Sequence, residues 1–171
     1  MATFSIPPSN RSFLSNNKFE FVLKRIPNFA FFVQSVNLPS LTLQSTSINT
    51  PFTAVSLPGN QIVFNQLSLT FIVDEDMQSW YELYNWIYQL GNPNSFDKTG
   101  TLTGEPGMED NTYSDATLFI KTNSNNPNMQ IQFYDVYPTE LGEMTFSSTE
   151  GQEFITSSVV FNYTSYDATK I

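Results

Sequence analysis

The stretch VDEDMQSWYELYNWIYQLGNP, residues 73–93, decides how the chain is read, because it carries a helical pattern among segments that read as strands. Trp80, Leu83, Tyr84, Ile87 and Leu90 recur at three- and four-residue spacing, which lays an apolar stripe along one side of a helix. Asp74 or Asp76 can cap the first free N–H groups, and acids suit the positive end of the helix dipole. Gly91 fits the position just past the last turn, and Pro93 stops the helix. Trp80, Tyr84 and Tyr88 share a face, while Tyr81 and Trp86 point elsewhere. Aromatics on more than one side predict contacts on more than one side, with Trp80, Leu83, Tyr84, Trp86 and Ile87 as packing and contact residues.

Outward from the helix, the patterns are β. Before it, QIVFNQLSLTFIV (61–73) alternates Ile62, Phe64, Leu67, Leu69, Phe71 and Val73 with polar partners, and a phase slip at Asn65–Gln66 predicts a bulge. KFEFVLKRI (18–26) and FAFFVQSV (29–36) flank a Pro-Asn turn and read as a hairpin over 18–36. LPSLTLQSTSI (38–48) reads as a strand. NTPFTAVSLPGN (49–60) holds two Pro and one Gly, which suits an extended edge or a projecting loop. After the helix, residues 92–115 are rich in Gly, Pro, Asn and Asp, and a loop of that length is usually functional or mobile. Strands follow at 116–122, 129–137 and 152–166, with SNNPN (124–128) as a hairpin turn and 138–151 as a strand between turns. The expected class is mainly β, a sandwich or open barrel with one flanking helix. The organisation is a polar N-terminal arm over 1–17, one β domain over 18–166 and a short C-terminal tail over 167–171.

Composition narrows the chemistry. The 171 residues suffice for one domain with a real core, and 16 Phe with 8 Tyr lean towards strands. Without Cys there is no disulfide or thiolate chemistry, and without His the commonest general base and transition-metal ligand are missing. The formal net charge of −9 and a single local basic group, Lys18, Lys24 and Arg25, argue against a conventional grip on phosphates. No run is long enough to span a membrane, and the first residues lack the basic start and apolar core of a signal peptide.

The acids admit other readings. Asp74, Glu75 and Asp76 lack the alternating spacing of a calcium loop, so capping is preferred to metal binding. Glu105, Glu109 and Asp110 read as a solvated acidic loop. Glu140, Glu143, Glu150 and Glu153 could include a carboxylate pair for glycoside cleavage, but spacing in sequence cannot supply the needed separation. No enzyme, cofactor or metal is expected.

The order of the parts carries a resemblance. VQSVNLPSLTL places Leu38, Pro39 and Leu41 ahead of the extended segment. Phe71, Val73, Asp74 and Asp76 lead into a helix with Tyr84 and Trp86. Tyr137, Pro138, Leu141, Gly142 and Met144 form a corner before a last strand with Thr156, Val159, Phe161 and Tyr163. Over residues 18–166 this resembles the tail tube proteins of bacteriophages with long contractile tails, including the baseplate tube initiators that share the fold. The resemblance implies a structural virion protein, assembled in the host cytoplasm. It implies a ring, hexameric in that family, lining a channel that DNA passes through without being bound. Adjacent tube, baseplate, sheath or neck proteins would be partners. In that frame Pro51, Phe52, Leu57, Pro58, Phe96 and Met108 are the expected intersubunit loop residues, and inward-facing polar and acidic side chains from strands such as 61–73 and 129–137 would keep DNA from sticking to the lumen. The alternative is a carbohydrate-binding β-sandwich module or adhesin that displays Trp80, Trp86 and loop tyrosines as a stacking platform.

Overall fold

The computed structural model describes residues 12–49, 51–91, 112–148 and 154–171. Among them run β1 (Phe19–Leu23), a 3₁₀ turn (Pro27–Phe31), β2 (Val33–Asn37), β3 (Leu41–Asn49), β4 (Ala54–Phe64) and β5 (Leu67–Ile72). Then come α1 (Gln78–Leu90), β6 (Ser114–Lys121), β7 (Pro127–Leu141), β8 (Thr156–Asn162) and β9 (Ser165–Lys170). Seven strands form one sheet in the order β1-β6-β7-β8-β5-β2, with β9 added to β7. Among the described residues β3 and β4 pair only with each other.

The sheet bends along β7. Its first half pairs with β9 from Met129–Lys170 to Tyr134–Ser165, and its second half pairs with β8 from Tyr137–Asn162 to Leu141–Val159. At the change of partner Asp135 has φ 54°. That left-handed conformation accompanies a bulge, which bends a strand and raises its twist. Alternation then puts Leu67, Leu69 and Phe71 of β5, Val159 and Phe161 of β8, and Ile131 and Phe133 of β7 into one core. The two end strands, β1 and β2, face each other across a cleft of 680 Å³ whose walls include Phe19, Val33, Val36, Leu118 and Ile120. The result is a mainly β fold, an open barrel flanked by α1.

Four expectations change. Residues 18–36 are not a hairpin, because β1 pairs with β6 and β2 with β5. Pro27, with fixed φ and no N–H, starts a 3₁₀ turn instead of a strand. That turn buries Phe29 against Phe71, ring centroids 4.9 Å apart, and carries the chain from one end of the sheet to the other. The phase slip at Asn65–Gln66 is a break between β4 and β5, which belong to different sheets. Residues 138–151 hold no separate strand among those described. Pro138 to Leu141 complete β7, with a register shift between Pro138 and Glu140 that spares a donor at Pro138. The long strand expected over 152–166 is two, β8 and β9, and residues 167–170 belong to β9 instead of a free tail.

Candidate functional site

Three surfaces can carry function: the helix, the outer face of the bent sheet, and the β3–β4 hairpin. At the start of the helix, Asp74 accepts hydrogen bonds from the backbone N–H of Gln78 (3.1 Å) and Ser79 (3.4 Å). Met77 is left-handed at φ 52°, which turns the chain into the first helical turn. Asp76 is exposed and shows no bond to the helix among the described residues. No group of three or more acids able to hold a metal occurs among the described residues.

Ser79, Leu83 and Trp86 are the buried helix positions, so the core-facing stripe is rotated from the one the spacing predicts. Trp86 is fully buried. Its ring lies 6.3 Å from that of Phe161, the Arg25 guanidinium sits 4.7 Å above it, and its indole N–H donates to the Thr112 carbonyl at 3.2 Å. Arg25 also donates to Gln89, and burial lowers its pKa from the ordinary arginine value. Arg25, read from sequence only as part of a basic group, thus ties the segment after β1 to the helix. Trp80, Tyr84 and Tyr88 stack in a ladder, with centroids 5.4 and 5.9 Å apart. Trp80 and Ile87 are half-buried, and Tyr81 and Tyr84 are exposed. A sugar platform built on Trp86 is excluded by its burial, and in the ladder Tyr84 has both faces covered by Trp80 and Tyr88.

The outer face of β2, β5 and β8 is mostly polar, with Ile72 and Val160 among its members. Cross-strand pairing aligns Asn37 with Ser68 and Ser35 with Thr70, and the Asn37 amide donates to the Ser68 hydroxyl at 3.0 Å. Ser68 and Thr70 stand opposite Val160 and Ser158, with Thr156 at one end and Asn162 towards the other. The same strands turn Leu67, Leu69, Phe71, Val159 and Phe161 inward. The expected acids do not supply this face from 61–73, since no Asp, Glu, Lys or Arg occurs from Ile26 to Val73. Within 129–137 the one acid is Asp135, at the bend. Glu140 is exposed and paired with Val160 at the margin of the face, and Glu143 is exposed beyond it. Glu150 and Glu153 lie outside the described residues, as do Glu105, Glu109 and Asp110.

The β3–β4 hairpin leaves the body almost wholly exposed. Of residues 49–60, expected as an extended edge or projecting loop, those described end β3, run through 51–53 and supply most of β4, so they are both strand and projection. Phe52, 98% exposed, sits at the turn beside Pro51, and Leu57 and Pro58 lie in β4. Phe96 and Met108 lie outside the described residues. The root is fastened. Phe64 packs edge-on against Tyr163 and Tyr166, with centroids 6.2 and 5.4 Å away. Tyr163 donates to the Asn65 carbonyl at 2.6 Å and Tyr166 to the Pro39 carbonyl at 3.4 Å. Burial, and then Tyr166, push the Tyr163 hydroxyl up to about 12.

Comparison with known proteins places this arrangement. A family model described as phage tail tube protein matches residues 3–169, beginning inside the stretch read as an arm and ending in β9. The tail tube terminator protein of Enterobacteria phage T4 is 31% identical over 129 residues, covering 73% of this chain and 69% of that protein. Among solved structures, the tube-terminating cap of the anti-feeding prophage superposes with a TM-score of 0.68 at 13% identity over 100% of both chains. A chain of the sheath-tube complex of an extracellular contractile injection system gives 0.66 at 13% identity over 94% of both. At those identities the two structures speak for the fold alone. The family is one of structural tail components, not enzymes, and the chain belongs to the phage tail tube protein family.

Proposed function

We propose that copies of this chain close into a ring, six-fold as the family resemblance implies, that ends a tail tube and lines the channel through which DNA leaves. The observation that carries the channel is the two-sided sheet of β2, β5 and β8, apolar towards the core and hydroxyl- and amide-bearing on the other face. A wall without cations offers phosphates no ion pair, so DNA can slide along it. The acidic remainder of the chain, at −9 overall, adds a general repulsion instead of a lumen-specific one. Joining sheets edge to edge in a ring would also cover the edge of β2 that no strand pairs with among the described residues. The terminal position rests on the 31% identical relative, whose name is tail tube terminator.

Negative-stain images and light scattering of the purified protein should show ring-sized species. A protein that stays monomeric and is recruited by no tail component sinks the ring. Copy number per tail, measured by mass spectrometry, should correspond to one ring; many rings would make it a repeating tube protein. Ser68→Lys with Ser158→Lys should leave the fold intact and slow DNA ejection. Normal ejection by that variant rules out this face as the channel wall.

A further inference from the structure

The chain that leads into β1 is fastened at one end of the cleft between β1 and β2. Asn123, in the turn between β6 and β7, donates from its side-chain amide to the Phe13 carbonyl at 3.1 Å and accepts from the Ser15 hydroxyl at 2.6 Å. Asn16 and Asn17 then form a turn, and the Lys18 carbonyl accepts from the Lys121 N–H at 2.8 Å just before β1 begins. Leu14 lines the cleft at this end. The cleft holds 680 Å³ between two strands that have no partner on that side among the described residues. Phe19, Val33, Val36 and Ile120 on its walls are only half-buried. Folded interiors keep few voids larger than a water molecule. An apolar cleft flanked by two unpaired strand edges therefore suits an extended segment, which supplies apolar side chains and backbone N–H and C=O groups together.

Residues 1–11 lie outside the described ones, and their sequence fits that need. In MATFSI (1–6), Phe4 and Ile6 alternate with Thr3 and Ser5, the period of a strand with one covered face. Pro7 and Pro8 carry no N–H, so strand pairing stops at Ile6. The six steps from Ile6 to Ser12, at about 3.3 Å each, reach up to about 20 Å. The five residues of β1 span about 17 Å, so the tether is long enough to bring Ile6 to the cleft. A tether this short also keeps the segment at an effective concentration of the order of mM near its own cleft, well above that of a second copy in dilute solution. The family match starts at residue 3, so this alternating stretch belongs to the domain pattern. We propose that residues 3–6 occupy the cleft of their own subunit as a further strand, with Phe4 and Ile6 turned onto its apolar walls. The chain is held where β1 begins and must leave the cleft at that end, which sets residues 3–6 antiparallel to β1. The open barrel is then closed by its own chain. The proposal stands without the ring reading, since occupant and cleft belong to one subunit.

Photolysis of dilute full-length protein carrying p-benzoylphenylalanine in place of Phe4 tests the occupant. The cross-link should form within one chain, to peptides of β1, β2 or β6, in a yield that does not depend on protein concentration. In parallel, Phe4→Ser with Ile6→Ser should raise amide exchange in β1 and β2 several-fold more than in α1. A cross-link that joins two chains, in a yield that rises with concentration, makes a second copy the occupant and overturns the proposal. It is equally overturned by a cross-link outside the cleft walls, by no cross-link, or by exchange in β1 and β2 that rises no more than in α1. A protein that forms no rings yet gives the intrachain cross-link loses the ring reading and keeps this one.

Discussion

The body of the molecule and the β3–β4 hairpin are both antiparallel β structure, yet they satisfy their side chains in opposite ways. In the body β1, β5, β6, β7 and β8 each bury residues, and the core closes on itself around Phe21, Phe29, Phe71, Phe133 and Phe161. In the hairpin Leu43, Ile48, Val55, Leu57 and Ile62 stay about half exposed among the described residues. An isolated two-stranded hairpin is marginal in water, and the described body covers little of this one. The difference separates residues that make the subunit's own core from residues that the described part of the chain leaves exposed.

The sharpest test of that separation sets one residue from each region side by side. Trp86→Ala should lower the unfolding free energy of the isolated subunit by about 3–5 kcal/mol, because it empties a fully enclosed site beside Phe161 and leaves the stacked Arg25 guanidinium without its ring. Leu57→Ser should change it by no more than about 0.5 kcal/mol, as an exposed substitution away from the core does. Urea unfolding of both variants reads the contrast. Comparable losses would mean that the hairpin is part of the subunit's own folding unit.

How far sequence reaches also differs between the regions. Inside the body, alternation in LSLTFI placed Leu67, Leu69 and Phe71 correctly, and the residues at the start of the helix included its Asp74 cap. Trp86 was legible as an aromatic on its own side of the helix, but not as the centre of the core, because its site is made by Arg25, Thr112 and Phe161 from distant segments. The hairpin over 18–36 failed because a 3₁₀ turn with a buried Phe29 has the same short apolar pattern as a strand. The β3–β4 hairpin was blurred because pattern methods assume that apolar residues are covered by the same chain. Its apolar side changes at Gly59, so neither face gives a clean period of two. The absence of charge from Ile26 to Val73 was available as a signal and contradicts an acidic wall drawn from β5.

A smaller effect separates neighbouring acids at the boundary of the helix. Asp74→Ala should cost about 0.5–2 kcal/mol, the range for losing a side-chain cap. Asp76→Ala should fall within about 0.5 kcal/mol of the parent, since its carboxylate is exposed. Thermal unfolding of the two variants, with and without added calcium, discriminates. Calcium-dependent stability that disappears with either change would restore the metal reading.

The joint between body and hairpin is tested at Tyr163. Its hydroxyl holds the Asn65 carbonyl, so Tyr163→Phe should cost about 0.5–1.5 kcal/mol. It should also raise amide exchange at the hairpin root more than in the body. Burial raises the folded pKa to about 12, against about 10 for an ordinary tyrosine. The fold therefore favours the neutral phenol. Its contribution is fully present below pH 10 and is lost as pH rises from there through about 12. The Phe variant should lack that part of the alkaline loss. An identical alkaline profile in both proteins would assign the loss to other groups.

Salt should have the smallest effect, and its sign is the informative part. Each subunit carries −9, so bringing copies together concentrates like charge, while the exposed β3–β4 hairpin carries none. Salt then has repulsion to screen and little attraction to remove: the Debye length is about 10 Å at 0.1 M. The Lys121–Glu20 pair, 2.6 Å apart, joins β6 to β1 within one subunit, and as an exposed pair is worth only about 0–1 kcal/mol. Association measured by sedimentation should therefore strengthen modestly as salt rises from low to moderate concentration. A DNA-binding protein behaves in the reverse way on its ligand, losing affinity as counterions compete. Should rings instead dissociate as salt rises, ion pairs from the charged body hold the subunits together. The uncharged hairpin could then not be the principal joint, and the body would hold the contacts between subunits as well as the core.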